Sequence, residues 1–165
     1  MTLTLTTLRF KETETYLMAA LFIAGNIVLP QLFHLIPQGG IIWLPIYFFT
    51  LIGAYMYGWR VGLLTALASP VINSLLFGMP PVAALPAIML KSTLLAVIAG
   101  LTAARFRHTS LLLLLIAVVL SYQTIGTIGE WVMKGDFMLA CQDFRMGIPG
   151  MLLQIAGGYL ILPKK

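Results

Sequence analysis

The stretch FGMPPVAALPAIMLKSTLLAVIAGLTAA, residues 77–104, is apolar almost throughout, yet it carries three prolines and one interior cation, Lys91. A helix needs about 20 predominantly apolar residues to cross the hydrocarbon core of a bilayer, with about 17–25 tolerated. Residues 83–104 meet that length. Pro80 and Pro81 make a turn ahead of them, and Pro86 falls in the first turns of the helix, where a missing backbone donor is tolerated. A lysine at the centre of a span costs roughly 2.5–3.5 kcal/mol on insertion scales. Snorkelling of its flexible stem toward an interface lowers that cost, and a carboxylate or a bound ligand compensates it better. This stretch reads as a membrane span, and Lys91 as the first candidate functional residue.

Working outward, five more segments approach the same length: about 16–36, 42–57, 60–77, 110–130 and 144–162. They are separated by PQGG at 37–40, GWR at 58–60, GMPP at 78–81, RFRH at 105–108 and a polar stretch from Lys134 to Asp143. Segment 42–57 is short and bordered by Pro45, which predicts a tilted, interfacial or partly irregular span. Arg9 and Lys11 precede the first segment as in a signal peptide, but no small-x-small cleavage site follows, so it is read as a retained first helix. The expectation is an all-α integral membrane protein, a bundle of six transmembrane helices in a single domain over residues 1–165.

Composition agrees. Of the 165 residues 60% are hydrophobic and only 9% charged, and the mean hydropathy is +0.99, too little polar surface for a soluble domain. The net charge of +5 forms no stripe, which excludes a nucleic-acid reading. The single cysteine, Cys141, permits no internal disulfide. No HExxH, CxxC, P-loop or GxSxG motif occurs, so no catalytic residue, metal ligand or cofactor is expected.

Lysines and arginines set orientation. With six spans, Arg9, Lys11, Arg60, Arg105, Arg107, Lys164 and Lys165 fall on one side, seven of the ten basic residues. Lys134 and Arg145 fall on the other, near Asp136 and Asp143. Both termini are therefore expected in the cytoplasm. Depth follows at about 1.5 Å per residue, which places Lys91 roughly 8–12 Å below the outer boundary. Asn26 comes near mid-membrane, and Gln31, His34, Gln38, Trp43 and Asn73 come toward the outer face. Gln123, Thr127 and Glu130 share one face at helical spacing. Asp143 and Arg145 open the sixth span, and Gln154 lies near its middle. Polar side chains thus gather in the outer half, as a pocket open to the outside requires.

Plainer roles remain open for several of these residues. Glu130 and Lys134, four apart, also read as a surface ion pair, and Asp143 and Arg145 as interfacial residues. His34 fits an interface or a core, and Asn26 and Gln154 fit helix-to-helix hydrogen bonding. Trp43 and Trp131 fit an aromatic belt. Small residues form a second pattern, with Ala20 and Ala24 as an AxxxA on the first helix; ordinary packing accounts for most such positions.

The segments AALFIAGNIVLPQLFHLIP, LPIYFFTLIGAYMYGWRVGLLTALASPVINSLLFGMPP, ALPAIMLKSTLLAVIAGL and RMGIPGMLLQIAGGYLIL, in this order and spacing, resemble the substrate-binding S components of energy-coupling factor (ECF) vitamin transporters. The resemblance implies a six-helix fold that binds a vitamin or vitamin precursor near the outer face of a bacterial or archaeal plasma membrane. It implies docking through Ala20 and Ala24 to a transmembrane coupling subunit driven by two cytoplasmic ATPases, with no ATP hydrolysis by this chain. The candidate substrate-binding set is Lys91, Gln123, Glu130, Gln154, Asn73, His34, Gln38 and Trp43. Related sequences carry a glutamate where this chain has Lys91, and a lysine there suits a carboxylate or phosphate, so the expected ligand is anionic. The competing reading is a non-transporting six-helix scaffold similar to the rod-shape-determining proteins. A membrane enzyme is disfavoured, because no nucleophile–base pair is recognisable.

Overall fold

The structure, a computed structural model, describes residues 6–106 and 109–163. Arg107, Lys164 and Lys165, part of the basic set used for orientation, lie outside the described residues. The chain is an all-α membrane protein. Among the described residues, four helices are long and apolar enough to cross a bilayer: α1 (Thr13–His34), α4 (Trp59–Phe77), α5 (Leu85–Arg105) and α6 (Leu111–Lys134). Between α1 and α4 lie α2 (Gly39–Trp43), a 3-10 turn at Pro45–Tyr47 and α3 (Phe48–Tyr57). After α6 come α7 (Phe137–Ala140), α8 (Gln142–Met146) and α9 (Ile148–Ile161).

The punctuation seen in the sequence ends these helices. Gly78 and Gly135 close α4 and α6 with left-handed backbone, φ +68 and +72, which an L side chain rarely adopts. Pro86 lies in the first turn of α5 and Pro149 in that of α9. The Asp136 side chain caps α7 by accepting from the Met138 and Leu139 amides.

Two expected spans are occupied by shorter helices. Over 42–57, Leu44 adopts a left-handed conformation and Pro45 starts a 3-10 turn, so only the ten residues of α3 run on as regular helix. Over 144–162, Gly147 separates α8 from α9 and leaves a helix of 14 residues. By length and composition, four helices therefore meet the requirement for crossing.

Short α3 forms the centre of the bundle, with eight of its ten residues buried. It packs against α1, α4, α5 and α9. Leu51, Val61, Leu95, Leu115, Val118 and Val119 make a fully buried apolar layer there. Outward-facing positions such as Leu17, Leu75, Leu113, Val132, Leu152 and Leu160 are exposed, as lipid contact demands.

A polar seam holds α1 to α4. Pro30 has no N–H, so the Asn26 carbonyl loses its helical partner. The Asn73 side chain donates to that carbonyl at 2.8 Å. The Asn26 side chain in turn donates to Thr50 Oγ1 at 3.0 Å and accepts from the Phe49 amide at 3.1 Å. Asn26 thus joins α1 to α3 and α4 by hydrogen bonds, one of the roles its sequence position left open.

The two ends of the bundle differ. At one, Arg60 lies over the rings of Phe10 and Trp59, and the Thr6 and Leu8 amides donate to the end of α3. Arg9, Lys11 and Arg105 flank this same end, at the start of α1 and the close of α5. The other end is formed by the close of α1, α4 and α6 and the start of α5.

Candidate functional site

A cavity of about 360 Å³ opens at that second end. The last turns of α1 contribute Pro30 and His34, and the segment Gly40–Tyr47 contributes an apolar wall with Leu44 and Tyr47. Asn73 of α4 and the Pro80–Pro81 turn form another side. Ala87, Ile88 and Lys91 enter from α5, Glu130 and Lys134 from α6, and Gln142 and Asp143 from α8.

Lys91 is 2% exposed and meets two carboxylates. Its Nζ lies 2.6 Å from Glu130 Oε2 and donates to Asp143 Oδ2 at 2.8 Å. Glu130 Oε1 in turn accepts from Lys134 Nζ at 2.5 Å. Two cations and two anions thus balance. A lysine this deeply buried requires it, because an unmatched charge at low dielectric is far costlier than a paired one. The approach depends on Gly126 of α6, where a Cβ would lie 2.5 Å from Lys91 Cγ.

The structure brings Lys91, Glu130, Asn73 and His34 to the cavity wall. Asn73 doubles as the α1–α4 clasp, and its Oδ1 also accepts from Gln31 Nε2 at 3.3 Å. The other four candidates are not in the wall. Gln38 is exposed, with left-handed backbone, at the start of α2, while Trp43 stacks on Phe33 with ring centroids 5.5 Å apart. Gln123 and Gln154 are fully buried between α6 and α9: Gln123 Nε2 donates to Tyr122 Oη at 3.0 Å, and Tyr122 Oη donates to Gln154 Oε1 at 2.9 Å. Gln154 is thereby bonded to α6 through its Oε1. Below the Lys91–Glu130 pair, Ser92 Oγ, Thr127 Oγ1, Gln123 Oε1 and Gln154 Nε2 are buried without a hydrogen-bond partner among the described residues.

Asp143 is the member of the ion network that spacing did not reveal. It lies 52 residues from Lys91 and on a separate short helix. The available signal was scarcity: the chain has only five acidic residues, and a buried lysine has to recruit from them. Tyr47 and Gln142 also enter the wall without a signal from periodicity, since both lie in short elements outside the long apolar helices.

Chemically, the site is a mostly apolar chamber with a few charged and hydrogen-bonding groups at its base, the form taken by small-molecule pockets. Among the described residues no three His, Cys, Asp or Glu side chains gather as a metal site would require. A family model described as ECF transporter, substrate-specific component, matches residues 15–161. No curated protein and no solved structure matches the chain.

Proposed function

Since the chain belongs to the family of ECF transporter substrate-specific components, we propose that it captures a vitamin or vitamin precursor from outside the cell in the cavity around Lys91 and Glu130. The single observation that carries this reading is a buried, charge-balanced lysine in the wall of a largely apolar cavity of about 360 Å³. A scaffold has no need for such a chamber. His34 and Asn73 line the ligand space, Gln38 and Trp43 belong to the loop that rims it, and Gln123 and Gln154 lie deeper and act on its floor. The ligand carries an anionic group that Lys91 attracts.

The chain crosses the plasma membrane of a bacterium or archaeon six times, with α3 and α9 as the short traverses and both termini in the cytoplasm. Basic residues at the end of the bundle opposite the cavity support this orientation. A transmembrane coupling subunit with two cytoplasmic ATPases receives the loaded protein. Docking uses Ala20 and Ala24, which lie on the exposed face of α1. In support, 22% of the α1 span is buried within the protein, against 50% of the α6 span. Inward release follows from rotation of the bundle against that subunit.

Mass spectrometry of small molecules that copurify with the detergent-extracted protein tests the reading. The expected result is a vitamin or precursor at stoichiometric level. An empty protein whose Trp43 and Trp131 fluorescence ignores a vitamin panel would replace transport with the scaffold reading.

A further inference from the structure

The two carboxylates that neutralise Lys91 are held very differently. Glu130 sits in the 24-residue helix α6 and is bonded to a second cation, Lys134. Asp143 sits in the five-residue helix α8, and its carboxylate is bonded only to Lys91 among the partners described. Its side chain is also the more exposed of the two, 14% against 9%. The segment that carries it runs between two helix breaks, Gly135 and Gly147, and contains no long element. Glu130 is thus fixed in the bundle, whereas Asp143 is delivered by a tether.

Charge balance adds the second constraint. Lys91, Lys134, Glu130 and Asp143 sum to zero. If Asp143 left without replacement, buried Lys91 would keep only Glu130, a carboxylate it shares with the exposed Lys134, and the ion network would carry one excess positive charge. One incoming negative charge restores neutrality, and the cavity lies directly against both Lys91 and Asp143.

We propose that Asp143 is an internal stand-in for the ligand's carboxylate, and that binding is an exchange in which this carboxylate takes the place of Asp143 on Lys91 and frees the α7–α8 segment. This rests on the reading of the cavity as the substrate site. A monoanionic carboxylate matches the displaced group in charge and in oxygen geometry. A dianionic phosphate would leave the set one charge too negative, and a cation would have to displace a lysine already bonded to its carboxylates.

Cys141, two residues from Asp143, half-buried and the single cysteine of the chain, reports on the exchange. Its maleimide labelling rate is measured in detergent for the wild type and for Asp143→Asn. Each protein is also titrated with nicotinate, biotin, lipoate and pantothenate, each beside its primary amide, and with inorganic phosphate. Without ligand, Asp143→Asn should label several-fold faster than wild type. One acid, and not its amide, should speed wild-type labelling, and Asp143→Asn should bind that acid about tenfold more tightly because the competing internal state is lost. Equal labelling of the two ligand-free proteins overturns the exchange. So does an amide or phosphate that acts as well as the acid, an Asp143→Asn variant that binds the acid more weakly, or a panel in which no acid acts. A copurifying vitamin without a carboxylate would overturn this proposal while leaving the capture function intact.

Discussion

Lys91 reaches its carboxylates across a position, Gly126, that has no side chain to obstruct its stem. The lysine and its partners form one electrostatic unit, so single and combined substitutions should behave very differently. Lys91→Met leaves Glu130 with Lys134 alone and strips Asp143 of the cation it is bonded to, and should cost about 3–5 kcal/mol, the usual penalty for breaking a buried pair. Combining it with Glu130→Gln, Asp143→Asn and Lys134→Met should recover most of that loss, because no buried charge is then left unmatched. Thermal unfolding in detergent checks both; a combined variant no better than Lys91→Met would show that packing, not charge, sets the cost. In the sequence, Lys91 was legible because a cation in an apolar run is conspicuous, and Glu130 because helical spacing put it on the polar face of α6. Asp143 was not, because contact between residues 52 apart is decided by tertiary packing that periodicity does not encode.

At the level of the elements, a proline creates the demand that an asparagine meets. Pro30 strips the Asn26 carbonyl of its helical donor, and Asn73 supplies one from α4. Asn73→Ala should therefore destabilise the protein by about 1–3 kcal/mol, the cost of an unsatisfied buried group. Pro30→Ala in that background restores the N–H and should return part of the loss. Denaturant unfolding of the single and double variants measures this, and a double variant worse than Asn73→Ala would exclude the carbonyl as the cause. The helix positions were legible from runs of apolar residues, and Pro45 marked the irregular start of the second segment. The break at Gly147 was harder to foresee. GIPG sits inside an apolar run, and glycine in such runs serves helix packing as often as it ends a helix.

Across the whole molecule, the cavity lies at the end opposite Arg9, Lys11, Arg60 and Arg105, while Ala20 and Ala24 face outward along α1. With capture in the cavity and docking through Ala20 and Ala24, as proposed, the two functions are separated in space, and a lesion in one should spare the other. Ala20→Leu with Ala24→Leu buries nothing within the chain, so its unfolding temperature and ligand affinity should match wild type. Copurification with the coupling subunit and ATP-driven uptake should be lost, since bulk at small-residue positions holds helices apart. Retained uptake in this variant would move the docking surface elsewhere. The lengths of the helices carry one more consequence. At 1.5 Å per residue, α9 reaches about 21 Å, whereas α1 and α6 exceed the roughly 30 Å of hydrocarbon around them. Where α9 crosses the bilayer, as the proposed six-span arrangement requires, Leu152 and Leu160 present it to the acyl chains, and the bilayer has to pinch along that flank while staying at full thickness along the others. In that arrangement the protein sits in an asymmetric dimple, and the elastic strain of its own annulus of lipid favours a tilt toward the thin side.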